Sequence, residues 1–272
     1  MGNHPELRSK AAEIKGLLGS VLNEVSSLSV EEREIKLQSI APDEYSCLFE
    51  KKEKKKTGLP DLPSSDGGVV MRFAPNPSGP LHLGHARAAF LNDEYIRRYG
   101  GSYILRIEDT DPKRVDPEAY DMVREDIEWM GLKISTTIFQ SDRFSNYYEV
   151  GKELISKGHA YVCRCDNEVF KNLKLHKTAC PCRSQSSEEA MELFEMMLDG
   201  AFKEGEVGVR LKTDLNHPDP AMRDYPLFRV LTSTPHQRVD AIVYPLMNLS
   251  VSVDDHLLGM THVIRGKDHI AN

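Results

Sequence analysis

RFAPNPSGPLHLGHARAAF, residues Arg72 to Phe90, decides the fold. A β-rich run, GVVMRFAP, leads into a loop stiffened by Pro75, Pro77, Gly79 and Pro80, and LHLGHARAAFLNDEYIRRYGG then continues as an amphipathic helix. Pro80 suits a position before or at the first helical turn, and Gly100 and Gly101 supply the stop. Two histidines, His82 and His85, fall three residues apart where that helix begins.

Working outward, SYILRIEDTDP reads as a second strand ended by Asp/Thr/Pro turn chemistry, and PEAYDMVREDIEWMGL as a second helix closed by Gly131. Strand, helix, strand, helix predicts an α/β fold: a Rossmann-like parallel sheet with crossover helices. From about residue 160 the rhythm breaks. Cysteines cluster there, followed by a helical SSEEAMELFEMMLDGAFKEG, a β-like VGVRLKT and a Pro-rich NHPDPAMRDYPLF. Near Val239 strand-like chain returns with AIVYPLMNLSVSV, followed by DDHLLGMTHVIRGKDHI.

Before the sheet, Ala11, Ile14, Leu17, Leu18, Val21, Leu22, Val25 and Leu28 recur at helical spacing. Ser29 and Glu32 fit a capping box for a further helix. EKKEKKKTGLPDLPSSDGG, residues 50–68, is a solvated linker whose lysines are also candidates for a nucleic-acid contact. The expected division is a helical extension and linker at 1–66, the first half of a nucleotide-binding domain at 67–159, an inserted domain at 160–238, and the start of the second half at 239–272.

The chain has 272 residues and a formal charge of −7, which argues against coating nucleic acid by bulk attraction but allows a local basic surface. It has no apolar run long enough to span a membrane, and MGNHPELRSK has no apolar signal core, so a cytoplasmic protein with no membrane contact is expected. The five cysteines are then expected to be reduced, and metal ligation is a better use for them than disulfides.

The two histidines admit a metal site, packing, or a phosphate site. Zinc hydrolases of the H-E-x-x-H kind need i, i+4 spacing and a glutamate; here the spacer is Leu83-Gly84. Strand-to-helix turns of open parallel sheets collect ligands, and helix N-termini attract phosphate. Gly84 would let a flat ring approach, and first-turn histidines can donate hydrogen bonds to phosphate oxygens as charge builds. The expectation is a nucleotide site spanning Pro75, Gly79, His82, Gly84 and His85 without G-x-G-x-x-G or a Walker loop.

His82-Leu83-Gly84-His85 resembles the first ATP-binding motif of class I aminoacyl-tRNA synthetases. With LRIEDTDP and VDDHLLGMTHVIRGKDH it resembles the glutamyl-tRNA synthetases, the archaeal type in particular, over about residues 70–272. The N-terminal helices look like the appended region of such enzymes and are candidates for contact with a protein partner. The resemblance implies that His82 and His85 hold the phosphates of ATP, supplied with Mg²⁺, and that Gly84 lies near adenine. Glutamate's α-carboxylate would attack the α-phosphorus and pyrophosphate would leave. The glutamyl group would then pass to the terminal adenosine of tRNA.

A glutamate pocket needs arginines for carboxylates and an acid for the ammonium. Arg72 and Glu108 end the first two strands, where they can play those parts; the alternative for each is an ion pair of little worth. By resemblance Arg72, Glu108 and Arg265 contact the amino acid, and Ala74 and Asn76 line the pocket. Met247 stands where bacterial relatives carry a substrate-holding tyrosine. Glutaminyl relatives tend to read D-D-T-N where this chain has Glu108-Asp109-Thr110-Asp111.

Cys163-x-Cys165 and Cys180-x-Cys182, fourteen residues apart, can complete a closed, structural Zn²⁺ site, with His176 a substitute for one sulfur. Cys47 is left over as a packing residue. Arg164, Lys171, Lys174, Lys177 and Arg183 make the intervening region basic, and in the family this insert binds the tRNA acceptor end. No Lys-x-Ser-Lys loop follows Arg265, and no anticodon-binding domain follows the sheet. A truncated chain is therefore expected, one that is a candidate for an inactive form. The alternatives are a stand-alone paralogue that glutamylates a tRNA base and an inactive zinc-bearing RNA-binding module.

Overall fold

The computed structural model describes residues 11–49, 58–65 and 67–266. The lysine run at 51–56 lies outside the described residues, as does the side chain of Cys47. Two compact units divide the chain at Pro63/Ser64.

The first unit holds three helices, α1 (Ala11–Ser27), α2 (Val30–Ile40) and α3 (Pro42–Phe49). Ser29 caps α2 as its sequence pattern predicts. Its Oγ accepts the Glu32 N–H at 3.2 Å, and Glu32 Oε2 accepts the Ser29 N–H at 2.8 Å. Along the apolar stripe of α1, Leu17, Leu18, Val21 and Leu22 are exposed among the described residues.

In the second unit, β1 (Val69–Phe73), α4 (Leu83–Tyr99), β2 (Gly101–Ile107), α5 (Ala119–Trp129) and β3 (Thr136–Phe139) form two successive βαβ crossovers. The sheet order is β1-β2-β3 and both pairings are parallel. Phe73, Tyr103, Leu105 and Ile107 from the sheet pack against Ala89 of α4 and Val123 and Ile127 of α5. This arrangement fits a Rossmann-like domain. Gly101 cannot be replaced: a Cβ there would lie 1.9 Å from Val69 O, across the strand pair that opens the sheet.

The chain then builds α6 (Phe144–Ser156), β4 (Ala160–Cys163), α7 (Asn167–Leu175), α8 (Ser187–Leu198), β5 (Gly208–Leu211), β6 (Pro226–Val230), β7 (Val243–Pro245) and α9 (Met247–Leu257). Strands β4 to β7 form an antiparallel sheet in chain order. Its core gathers Phe144, Tyr147 and Ile155 of α6, Phe194 and Met197 of α8, Phe228, Tyr244, and Leu249 of α9.

The strand-like expectation for AIVYPLMNLSVSV is corrected here. Only Val243–Pro245 is strand, paired antiparallel with β6, and from Met247 onward the stretch is helix. Leu249, Val251 and Val253 alternate like a strand, but Leu249 and Val253 fall on one helical face and enter the α6 core. That burial outweighs the weak helix preference of valine and serine. Among the described residues, no helix is long and apolar enough to cross a membrane.

Candidate functional site

The loop between β1 and α4 is pinned from both neighbours. Glu108 N–H donates to Pro75 O at 2.9 Å, Asp116 N–H to Pro77 O at 2.8 Å, and Leu81 N–H to Asp126 Oδ2 at 2.7 Å. The end of β2, the turn before α5 and Asp126 within α5 thus hold the entry of α4, where His82 is the N-cap. His82 Nδ1 accepts the Gly84 N–H at 3.1 Å, and His85 Nδ1 accepts the His82 N–H at 3.3 Å. The two rings stack with centroids 3.9 Å apart. An imidazole whose Nδ1 accepts carries its neutral proton on Nε2, so each ring retains an Nε2–H donor at a helix N-terminus. Burial, and then the neighbouring His82, hold His85 below the ordinary histidine range. A Cβ on Gly84 would come within 2.8 Å of His82 Cε1, so this position is glycine because a ring lies over it.

Beside this turn lies a cleft of about 380 Å³. Arg72, Ala74, Pro75, Asn76, His85, Glu108, Met247 and Arg265 all line it. Gly79, His82 and Gly84, in the loop and at the start of α4, are not among its lining residues. Asn76 Nδ2 donates to Glu108 O at 2.7 Å and so ties the tips of β1 and β2. Arg265 Nη2 lies 3.8 Å from Met247 Sδ.

The charged residues of the cleft are paired in a way their sequence positions do not announce. Arg72 is gripped side-on by Asp255 of α9, Nε to Oδ1 at 2.6 Å and Nη2 to Oδ2 at 2.9 Å. Arg106, fully buried, donates from Nη1 to Asp255 Oδ1 at 2.6 Å and from Nη2 to Glu108 Oε1 at 2.9 Å. Burial alone would raise the Asp255 carboxyl; the Arg72 hydrogen bonds and the charge of both arginines hold it below the usual range.

Two buried acids fix the frame behind the cleft. Asp109 accepts from Ser141 N at 2.8 Å, Ser141 Oγ at 2.7 Å and Tyr120 Oη at 2.7 Å. Asp254 accepts from Gln140 Nε2 at 2.9 Å, Arg143 Nε at 2.7 Å and Tyr147 Oη at 2.8 Å, which joins α9 to the end of β3. A buried carboxylate stays stable when its oxygens are filled in this way.

The four cysteines of the two pairs converge. Their Sγ atoms all lie within 4.8 Å of one another, with 3.2 Å from Cys165 to Cys180, 3.6 Å from Cys163 to Cys180 and 3.8 Å from Cys165 to Cys182. A tetrahedral Zn–S₄ centre with bonds of about 2.3 Å sets its sulfurs roughly 3.8 Å apart. The donor set and spacing therefore fit zinc, which Cys163, Cys165, Cys180 and Cys182 could hold. The Arg164 N–H points at Cys182 Sγ from 3.5 Å, as a thiolate would favour. His176 stays outside the cluster, its Nδ1–H donating to Asn172 O at 2.9 Å. Arg183 is committed inward, with its Nε on Asp224 Oδ2 at 2.9 Å. A second cleft of about 410 Å³ beside the cluster is lined by Lys171, Lys174, Arg210, Arg229 and Phe170.

The family described as tRNA synthetases class I (E and Q), catalytic domain, matches residues 68–272. The chain belongs to that family. A glutamate–tRNA ligase of Methanospirillum hungatei is 87% identical over 272 residues, 100% of this chain and 48% of that protein. One from Methanoregula boonei is 64% identical over 273 residues, again 100% of this chain and 43% of its own length. The chain spans about half the length of the curated relatives it matches. A solved glutamate tRNA ligase from Elizabethkingia meningosepticum, in complex with its amino acid, superposes with a TM-score of 0.55 at 23% identity, over 75% of this chain and 44% of the other. That likeness concerns the fold.

For this class I synthetase chain, sequence reasoning selected part of the cleft wall, passing over lining residues such as Asp111, Arg114, Gln140 and Arg229, and it missed Arg106 and Asp255, which pair behind the wall. Arg106 lies within a strand whose pattern reads as buried. Asp255 is separated from Arg72 by 183 positions. Two adjacent acids, Asp254-Asp255, which are the only carboxylates of α9, were the available signal.

Proposed function

We propose that this chain is the amino-acid-activating portion of a cytoplasmic glutamate–tRNA ligase. It would take ATP with Mg²⁺ and L-glutamate to glutamyl-adenylate and serve transfer to the acceptor end of tRNA. The observation that carries this assignment is a cleft where Arg72, Glu108 and Arg265 converge beside a stacked His82/His85 cap. The Nε2–H groups of His82 and His85 would donate to ATP phosphate oxygens, and Pro75, Gly79 and Gly84 would shape the loop around the nucleotide. Glutamate's α-carboxylate would attack the α-phosphorus as pyrophosphate leaves. Catalysis is then orientation and charge stabilisation with no protein nucleophile.

For the amino acid, Arg72 and Arg265 would meet carboxylates, Glu108 the ammonium, and Ala74, Asn76 and Met247 the remaining walls. Arg72 and Arg106 are balanced by Asp255 and Glu108, and Arg229 by Asp111, which leaves Arg265 and Arg114 as surplus positive charge among the described residues of the cleft. That surplus suits a substrate with one net negative charge over its amide analogue.

The zinc site would be structural, bracing a domain inserted at 160–238 between catalytic portions at 67–159 and 239–272, with 1–66 as a helical extension. The basic second cleft beside it would face the tRNA acceptor end. The exposed apolar side chains of α1 support contact with a protein partner.

The test is ATP–pyrophosphate exchange by the full-length protein, with and without tRNA. Exchange that depends on glutamate, and fails with glutamine or aspartate, is expected. Exchange with another amino acid, or none with glutamate under either condition, refutes the proposal.

A further inference from the structure

Asp255 does not line the cleft, yet it holds Arg72, which does, and the buried Arg106, which in turn holds Glu108 of the cleft wall. A guanidinium has two bidentate edges, the side formed by Nε with one Nη and the end formed by both Nη atoms. Asp255 occupies the side edge of Arg72 through Nε and Nη2. Among the described residues nothing takes Nη1, so the end-on fork is left for a ligand. The same carboxylate fixes Arg106 through Nη1, and Arg106 uses Nη2 on Glu108 Oε1. Glu108 Oε2 has no partner among the described residues and is left for a cation.

The strand register explains how one acid reaches both arginines. Arg72 is in register with Ile104, so Arg106, two positions further along β2, presents to the same face of the sheet. Asp255 approaches that face from α9, while its neighbour Asp254 turns to Gln140, Arg143 and Tyr147. The Asp254 contacts seat the helix and so bring the Asp255 carboxylate to a fixed place between the arginines.

We propose that Asp255 is a positioning residue for the amino-acid pocket: it turns the end-on fork of Arg72 toward the substrate carboxylate and, through Arg106, aims Glu108 at the substrate ammonium. This assignment rests on the proposed activation of glutamate. A carboxylate with no substrate contact thereby sets both polar ends of a zwitterionic amino acid.

The experiment uses the full-length protein, with initial-rate ATP–pyrophosphate exchange on wild type, Asp255→Asn and Asp255→Glu. Asp255→Asn removes a negative charge, which by itself favours binding of an anion. A rise in glutamate KM therefore reports lost orientation and not lost attraction. The expected result for Asp255→Asn is a glutamate KM raised by about ten-fold or more, with the ATP KM within roughly two-fold of wild type. A glutamate KM close to wild type overturns the proposal, and so does a parallel rise in both KM values. Should Asp255→Asn fail to fold, Asp255→Glu carries the test, since it keeps the charge and displaces the carboxylate by one methylene. A selective rise in its glutamate KM of at least about three-fold supports the role, and a smaller or unselective change overturns it. Wild-type protein without glutamate-dependent exchange would refute the proposed function and leaves a different result from any of these.

Discussion

His82 and His85 form one structural object. Their rings stack at a centroid distance of 3.9 Å while each Nδ1 accepts a backbone N–H from the first turn of α4. The imidazoles serve as a helix cap on one edge and offer donors on the other, so their structural and chemical roles separate by substitution.

His82→Ala removes the cap and should cost about 1 kcal/mol, a fall of roughly 2–4 °C in Tm. His82→Asn restores a capping oxygen but not the Nε2–H. Its melting should return toward wild type while glutamate-dependent exchange in the full-length protein stays about a hundred-fold down. Recovery of both properties in His82→Asn would remove His82 from the phosphate site.

Gly84→Ala tests the same turn from beneath. The new methyl would press on His82 Cε1, which lies 2.8 Å from an ideal Cβ. The ring has to move, and with it the donor it carries. The ATP KM should rise by roughly five-fold or more while the glutamate KM holds. Steady-state exchange kinetics at varied ATP and at varied glutamate separate the two, and an unchanged ATP KM would show that the ring shifts without consequence.

Local structure was legible where residue chemistry acts over short range. The Pro/Gly loop, the glycine stops after α4 and α5, and the Ser29/Glu32 box all report their own backbone. The two C-x-C pairs likewise come together, because each pair stays close and β4 and the turn at Pro181–Ser184 need only meet once. What escaped depends on distant chain. Asp255 on Arg72, Arg106 beneath Glu108, and Arg210 stacked 3.4 Å over Phe170 beside the basic cleft are all set by how separate elements pack. The alternation in α9 misled for the same reason, since packing against α6 chose the helix.

His85 makes a pH signature. Its ordinary value is 6.5, and burial together with His82 lowers it in the folded state. Between the folded value and the unfolded one, the unfolded chain binds the extra proton, so stability rises with pH across that window. The contribution is complete above the unfolded value and is lost as pH falls through the folded one. Protonation also removes Nδ1 as acceptor for the His82 N–H. Acidifying from about pH 7.5 to about pH 5 should lower the wild-type Tm more than that of His85→Gln, which cannot titrate. Parallel Tm–pH curves for the two proteins would contradict this.

The four-cysteine cluster can be tested without any activity. Four thiolates around one centre would leave no open position, so a bound zinc would brace β4 to the turn at Pro181–Ser184 and take no part in chemistry. Elemental analysis of purified full-length protein should find about one zinc per chain. Cys180→Ser should lose that zinc, and so should exhaustive chelation, each with a Tm drop of about 5 °C or more, since metal bound only by the folded state adds its binding energy to stability. Cys47→Ser serves as the control and should retain both zinc and Tm. A wild-type protein that is metal-free and melts like Cys180→Ser would mean that four converging sulfurs remain thiols and that Tyr161, Phe170 and their neighbours hold this corner unaided.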